Sequence, residues 1–162
     1  MIRIMLVEDH TVVREALRSM LEKEPDMQIV AEAGDGESAL RLAREIVPEV
    51  VVMDISLAGL DGIQTTRRLL AGNPAVKVLA LSTYRDRGVI RQILDAGAAG
   101  YVVKSAAGAE LRRGIRAVVE GRSYLCPEAA AAVADGLRNR TQVPEQALSR
   151  RERQVLALIV EG

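Results

Sequence analysis

Residues 51–62 read VVMDISLAGLDG, and their order decides the fold. With Val50 they form an apolar run of the length and β-branched content of a strand buried on both faces, but the run stops on a carboxylate, Asp54. A Gly-containing loop follows, ending at Asp61-Gly62. Burying an ionised side chain costs free energy unless something pairs with it, so Asp54 marks the strand end as a place for chemistry. Outward from this stretch the pattern repeats. IRIMLV at 2–7, MQIVAEA at 27–33, VVVM at 50–53, VKVLAL at 76–81 and GYVV at 100–103 read as strands. Helical stripes lie between them: Val13, Ala16, Leu17, Met20 and Leu21 in one, Leu111, Ile115, Val118 and Val119 in another. Asp35-Gly36 and Asp61-Gly62 fit helix openings, and Gly72-Asn73-Pro74 fits a helix stop. Five β-α pairs over residues 1–121 predict an α/β domain, a parallel sheet with helices on both faces.

Composition limits the function classes. Lys+Arg and Asp+Glu both number 22, so the formal net charge is zero and no overall field draws the chain to nucleic acid or an anionic membrane. The single cysteine, Cys126, has no partner for an internal disulfide and reads as a buried structural residue. No run approaches the roughly 20 apolar residues needed to span a bilayer, and MIRIMLVED reaches acidic residues too early for a signal peptide. A soluble, cytoplasmic protein is the expectation.

In a doubly wound parallel sheet, ligands bind beyond the carboxyl ends of the strands. The first strand ends in Glu8-Asp9, the third in Asp54 and the fourth in Ser82-Thr83, and Lys104 follows the fifth. Neighbouring strands one, three, four and five would bring these groups to one edge. Clustered carboxylates raise one another's pKa unless a cation compensates them, and hard oxygen donors with open water positions suit Mg²⁺. A carboxylate beside Mg²⁺, with an ammonium and a hydroxyl opposite, can receive a phosphoryl group.

The ordered set VEDH, VVMDIS, ALST and GAAGYVVKS resembles the receiver domain of two-component response regulators over residues 1–121. That resemblance implies a flavodoxin-like fold with five strands in the order 2-1-3-4-5. It implies Asp54 as phosphoacceptor, and Mg²⁺ held by Glu8, Asp9, Asp54 and the main-chain carbonyl of Ser56. It also implies Lys104 on the phosphate, Ser82 with Thr83 at the hydroxyl position, and Ser82 and Tyr101 as the switch pair. A sensor histidine kinase is the implied donor, homodimerisation the implied response, and catalysis is limited to the protein's own phosphorylation and dephosphorylation. Two positions depart from the family pattern, Ala58 and Ser105 standing where many receivers carry Pro. Ser105 leaves open whether the peptide after Lys104 is cis.

Two other features compete for attention. Gly34-Asp35-Gly36-Glu37-Ser38-Ala39 matches G-x-G-x-x-A, a dinucleotide fingerprint, but it follows the second strand and would set Asp35 against a pyrophosphate. His10, beside Asp9, could serve as phosphodonor or metal ligand and is expected as an exposed residue at a helix start.

Residues 122–148 read as a linker with a short Ala-rich helix opened by Pro127 and Glu128. Residues 149–162 begin another helix, with Ser149 and Glu152 as a capping box and Val155, Leu156 and Ile159 as an apolar stripe. This stretch resembles the first helix of the helix-turn-helix domain of LuxR-type regulators, which places the chain in the NarL/FixJ class with a truncated output domain and promoter DNA as the full-length partner. The alternative is a stand-alone receiver that acts by docking to proteins.

Overall fold

The computed structural model describes residues 1–138 and Val155. Over residues 1–138 six strands and six helices alternate: β1 Ile2–Val7, α1 Thr11–Glu22, β2 Met27–Ala33, α2 Gly36–Ile46, β3 Val50–Asp54, α3 Gly62–Gly72, β4 Lys77–Ser82, α4 Arg87–Asp95, β5 Gly100–Val103, α5 Ala107–Val119, β6 Tyr124–Leu125 and α6 Pro127–Arg138. A single 3-10 turn, Lys104–Ala106, joins β5 to α5. All strands run parallel in the order β2-β1-β3-β4-β5-β6.

Strand alternation builds two apolar layers. Val50, Val52, Leu79 and Leu81 face one side, where Leu17 and Leu21 of α1 and Leu111, Ile115 and Val118 of α5 cover them. Val51, Met53, Val78 and Ala80 face the other, against Leu40 of α2, Leu69 of α3 and Ile90 and Ile93 of α4. Because both faces are covered, the central strands lose the polar alternation of a half-exposed sheet, which is why they read as continuous apolar runs.

Side-chain caps set where three helices begin. Asp35 accepts from the Ser38 amide at 2.7 Å, Asp61 from the Gln64 amide at 2.8 Å and Asp86 from the Gly88 amide at 2.7 Å. Each satisfies an amide that the first turn leaves without a helical partner. At the far end of α2, Val47 takes a left-handed conformation (φ 51°), while the Arg3 guanidinium donates to the carbonyls of Ile46 and Val47 at 2.7 and 2.6 Å.

The structure corrects three expectations. The sheet has six strands, because Tyr124 and Leu125 pair with Gly100 and Tyr101. Gly100 permits the pairing, since a Cβ there would lie 2.4 Å from the Tyr124 carbonyl oxygen. A two-residue strand offers no periodicity to read. Residues 122–138 therefore extend the layers of the sheet domain: Cys126 and Ala129 are fully buried, and α6 packs on α4 and β5. Lastly, Ala16 of the α1 stripe is exposed, and only Leu17 and Leu21 of that stripe are fully inside. Val155 is also buried, lining a small gap with Arg87, Arg91, Leu94, Val133, Gly136 and Leu137. The linker residues 139–148, the capping box of Ser149 and Glu152, and Leu156 and Ile159 lie outside the described residues. Among the described residues no helix is long and apolar enough to cross a membrane.

Candidate functional site

Parallel strands deliver every carboxyl end to one edge, and the adjacency of β1, β3, β4 and β5 brings the polar residues there together. Glu8 and Asp54 are almost completely buried, at 1% and 2% exposure, while Asp9 remains partly exposed. Lys104 lies between the two buried carboxylates, its Nζ 2.9 Å from Glu8 Oε2 and 3.5 Å from Asp54 Oδ2. Asp54 Oδ1 accepts from the Ser56 amide at 3.1 Å, so one oxygen is fixed. The Arg14 guanidinium donates to the Glu8 carbonyl at 2.7 Å and anchors the end of β1.

Three buried oxygens, Glu8 Oε2, Asp9 Oδ1 and Asp54 Oδ2, accept no hydrogen bond; their polar neighbours are the ionic contacts of Lys104 and His10. Burial pushes the Asp54 carboxyl up and the Glu8 charge pushes it further, against the Ser56 amide and Lys104. Burial also pushes Glu8 up, but the Lys104 ammonium and His10 outweigh it and hold Glu8 below the usual carboxylate range. Burial pulls Lys104 down, and its two carboxylate neighbours more than reverse this, leaving it raised. Glu8, Asp9 and Asp54 against Lys104 make three negative charges and one positive, a formal charge of −2. These hard oxygen donors, carrying an excess of negative charge, fit Mg²⁺.

The remaining predicted residues are placed as follows. Ser82 is fully buried, and its Oγ accepts from the Tyr84 amide at 3.1 Å. The Tyr101 ring is also fully buried; its hydroxyl donates to the Tyr84 carbonyl at 2.7 Å, and burial pushes its pKa up to about 12. Ser82 and Tyr101 thus meet on the backbone of Tyr84. Thr83 and the Ser56 side chain are exposed. The Lys104–Ser105 peptide is trans, and Ser105 Oγ accepts from Arg85 at 3.1 Å.

Gly62 is a site residue that sequence reasoning credited only with opening a helix. A Cβ there would sit 2.2 Å from the Asp54 carbonyl oxygen and 2.6 Å from Ile55 Cα, both backbone atoms with no room to retreat. Gly62→Ala is therefore expected to displace the loop after Asp54 and to destabilise the fold by about 1–3 kcal/mol, read as a lower urea midpoint. An unchanged midpoint would contradict that close approach. The G-x-G-x-x-A stretch has the same kind of explanation: Asp35 caps α2, and Gly36 lets Leu60 and Thr65 approach, its Cβ position lying 2.7 Å from the Leu60 carbonyl oxygen. Helix packing accounts for the glycine, so the pattern needs no phosphate ligand.

Comparison with known proteins agrees with this geometry. Residues 4–116 match the model of the response regulator receiver domain family. The transcriptional regulatory protein LiaR of Bacillus subtilis is 35% identical over 164 residues, an alignment that covers all of this chain and 78% of LiaR. A LuxR-family two-component response regulator from an Aurantimonas species superposes with a TM-score of 0.82 at 40% identity, covering 84% of this chain and 97% of that one. ChrA, a response regulator of a heme-sensing two-component system, gives a TM-score of 0.69 at 42% identity over 99% of this chain and 76% of its own. With carboxylates and lysine gathered at the carboxyl edge of a flavodoxin-like sheet, and with these relatives, the chain belongs to the response regulator receiver family, among the NarL/LuxR-type regulators of two-component systems.

Proposed function

We propose that Asp54 accepts a phosphoryl group and that the resulting charge switches a transcriptional output. The observation that carries this reading is the convergence of Glu8, Asp9, Asp54 and Lys104 with three buried oxygens accepting no hydrogen bond. Ser56 holds Asp54 Oδ1, leaving the Oδ2 lone pairs to attack phosphorus. An O–P bond forms on Asp54 as the bond from phosphorus to the donor breaks, and the leaving group is the imidazole of a sensor histidine kinase or the carboxylate of a small acyl phosphate. Lys104, already 3.5 Å from Oδ2, neutralises charge on the transferred oxygens. Mg²⁺, held by Glu8, Asp9, Asp54 and the Ser56 carbonyl, would supply the missing positive charge. The expected test is calorimetric: Asp9→Asn lowers Mg²⁺ affinity about tenfold or more, since one of few compensating charges is lost. Affinity equal to wild type would remove Asp9 from the metal site.

The signal leaves through Tyr84. Ser82 accepts from the Tyr84 amide and keeps its own proton free to donate to a phosphoryl oxygen, while Tyr101 holds the Tyr84 carbonyl. Tyr101 already occupies the inner position, so phosphorylation tightens a connection from Asp54 to the start of α4. Residues 122–148 carry that change toward 149–162, the first helix of a helix-turn-helix that reads promoter DNA when complete. Homodimerisation accompanies the switch. β6 pairs with the outer edge of β5, and α6 packs on α4.

A further inference from the structure

We propose that His10 is a nitrogen ligand of the metal site, which makes its Glu8–Asp9 side a mixed imidazole and carboxylate pocket selective for first-row transition cations over Mg²⁺. The proposal rests on the reading of this edge as a metal site and adds a residue to it. His10 lies at the start of α1 with extended backbone (φ −86°, ψ 110°), and its side chain caps no helix amide. Its amide donates to Glu8 Oε1 at 3.2 Å, which folds the turn back over the carboxylate. The ring is 73% exposed, yet Nδ1 points inward, 3.0 Å from Asp9 Oδ1 and 3.1 Å from Glu8 Oε1. Glu8, Asp9 and His10 each offer one ligand atom within 4.8 Å of the others.

A hydrogen bond accounts for one of these contacts and leaves the other. Nδ1 carries at most one proton, which cannot point along two directions at once. The contact to Glu8 Oε1 has hydrogen-bond geometry, whereas Asp9 Oδ1, at the shorter distance, is buried and accepts none. A single metal ion satisfies both. Adjacent ligands of an octahedral ion bound at about 2.1 Å are about 3.0 Å apart, the separation found here from one nitrogen to two carboxylates. Binding uses the tautomer that carries its proton on Nε2 and leaves the Nδ1 lone pair for the metal. The exposed ring edge also leaves an entry path. Imidazole suits Mn²⁺ through Zn²⁺, whereas Mg²⁺ prefers oxygen, so His10 should act on selectivity more than on Mg²⁺ affinity.

The test is calorimetry on the 162-residue chain with Ni²⁺ alone and Mg²⁺ alone, in wild type and His10→Asn. Asn is a favourable residue at a helix start, so α1 should be kept, and the melting temperature checks this. The expected result is a loss of Ni²⁺ affinity of about tenfold or more with Mg²⁺ affinity changed less than about threefold. Pulsed electron paramagnetic resonance on the Mn²⁺ complex should show nitrogen modulation in wild type and none in His10→Asn. Equal losses for both cations would mean that His10 only positions the carboxylates, and would overturn the assignment. Unchanged Ni²⁺ affinity, or no nitrogen signal in wild type, would overturn it as well. If Asp9→Asn still lowers Mg²⁺ affinity about tenfold or more in those cases, the phosphoacceptor reading stands and the His10 assignment alone fails.

Discussion

Incubation with Mg²⁺ and acetyl phosphate is expected to add one phosphoryl group to the wild-type chain and none to Asp54→Asn, read by intact-mass measurement. The effect is all or none because Asp54 is fixed at one oxygen by Ser56, while its other oxygen lies 3.5 Å from Lys104 and accepts no hydrogen bond. An amide nitrogen in its place offers no comparable nucleophile. An adduct that persisted in the variant would move the phosphoacceptor elsewhere. The same substitution should stabilise the fold. Burial raises the folded-state pKa of Asp54 above its unfolded value. Its ionisation therefore opposes folding once the pH exceeds the unfolded value, and the penalty disappears below that value. Asp54→Asn should accordingly raise the melting temperature near neutral pH by a few degrees, on the order of 1 kcal/mol. The gain should vanish in acid below the ordinary aspartate range, and saturating Mg²⁺ should narrow it. A lower melting temperature near neutral pH would mean that Asp54 is more fully compensated by Lys104 than the geometry indicates.

The second large effect concerns DNA. The 162-residue chain is expected to show no sequence-selective binding, whereas a chain extended through a complete helix-turn-helix should prefer its promoter over scrambled DNA by about 10³-fold or more when phosphorylated. Base readout requires a recognition helix in the major groove, and in the proposed reading residues 149–162 are the helix that precedes it. Residual binding through phosphate contacts should also be slight. Residues 122–162 contain six Arg against five acidic residues, a net of +1, and few neutralised phosphates mean few released counterions. Titration of both forms at fixed ionic strength separates the cases. Selective binding by the shorter chain would overturn the assignment of residues 149–162. An extended, phosphorylated chain that ignored a suitable promoter would favour the docking alternative.

The fold was legible because its cause is local. Burial on both faces requires strands that are apolar throughout, and the starts of α2 and α3 are set by the acceptors Asp35 and Asp61; both signals are written in contiguous residues. Strands β1, β2 and β5 were read at the bounds they hold, while β3 gained Asp54 and β4 moved by one residue. Glu8, Asp9, Asp54 and Lys104 were equally legible, since a parallel sheet sends every strand end to one edge and a charged residue there breaks an apolar run. Other features depend on residues far apart in the chain. β6 forms because Gly100 leaves room for the Tyr124 backbone, and Gly62 matters because α3 starts against the backbone of Asp54. Tyr101 is held inward by the Tyr84 carbonyl, 17 positions earlier. The sequence by itself determined which residues are apolar, which cap helices and which charges end strands, because those properties belong to single side chains and their spacing. Only the tertiary structure decided which oxygens lack a hydrogen bond, which way His10 Nδ1 points and where a Cβ cannot fit, because each is a distance between atoms that packing alone brings together.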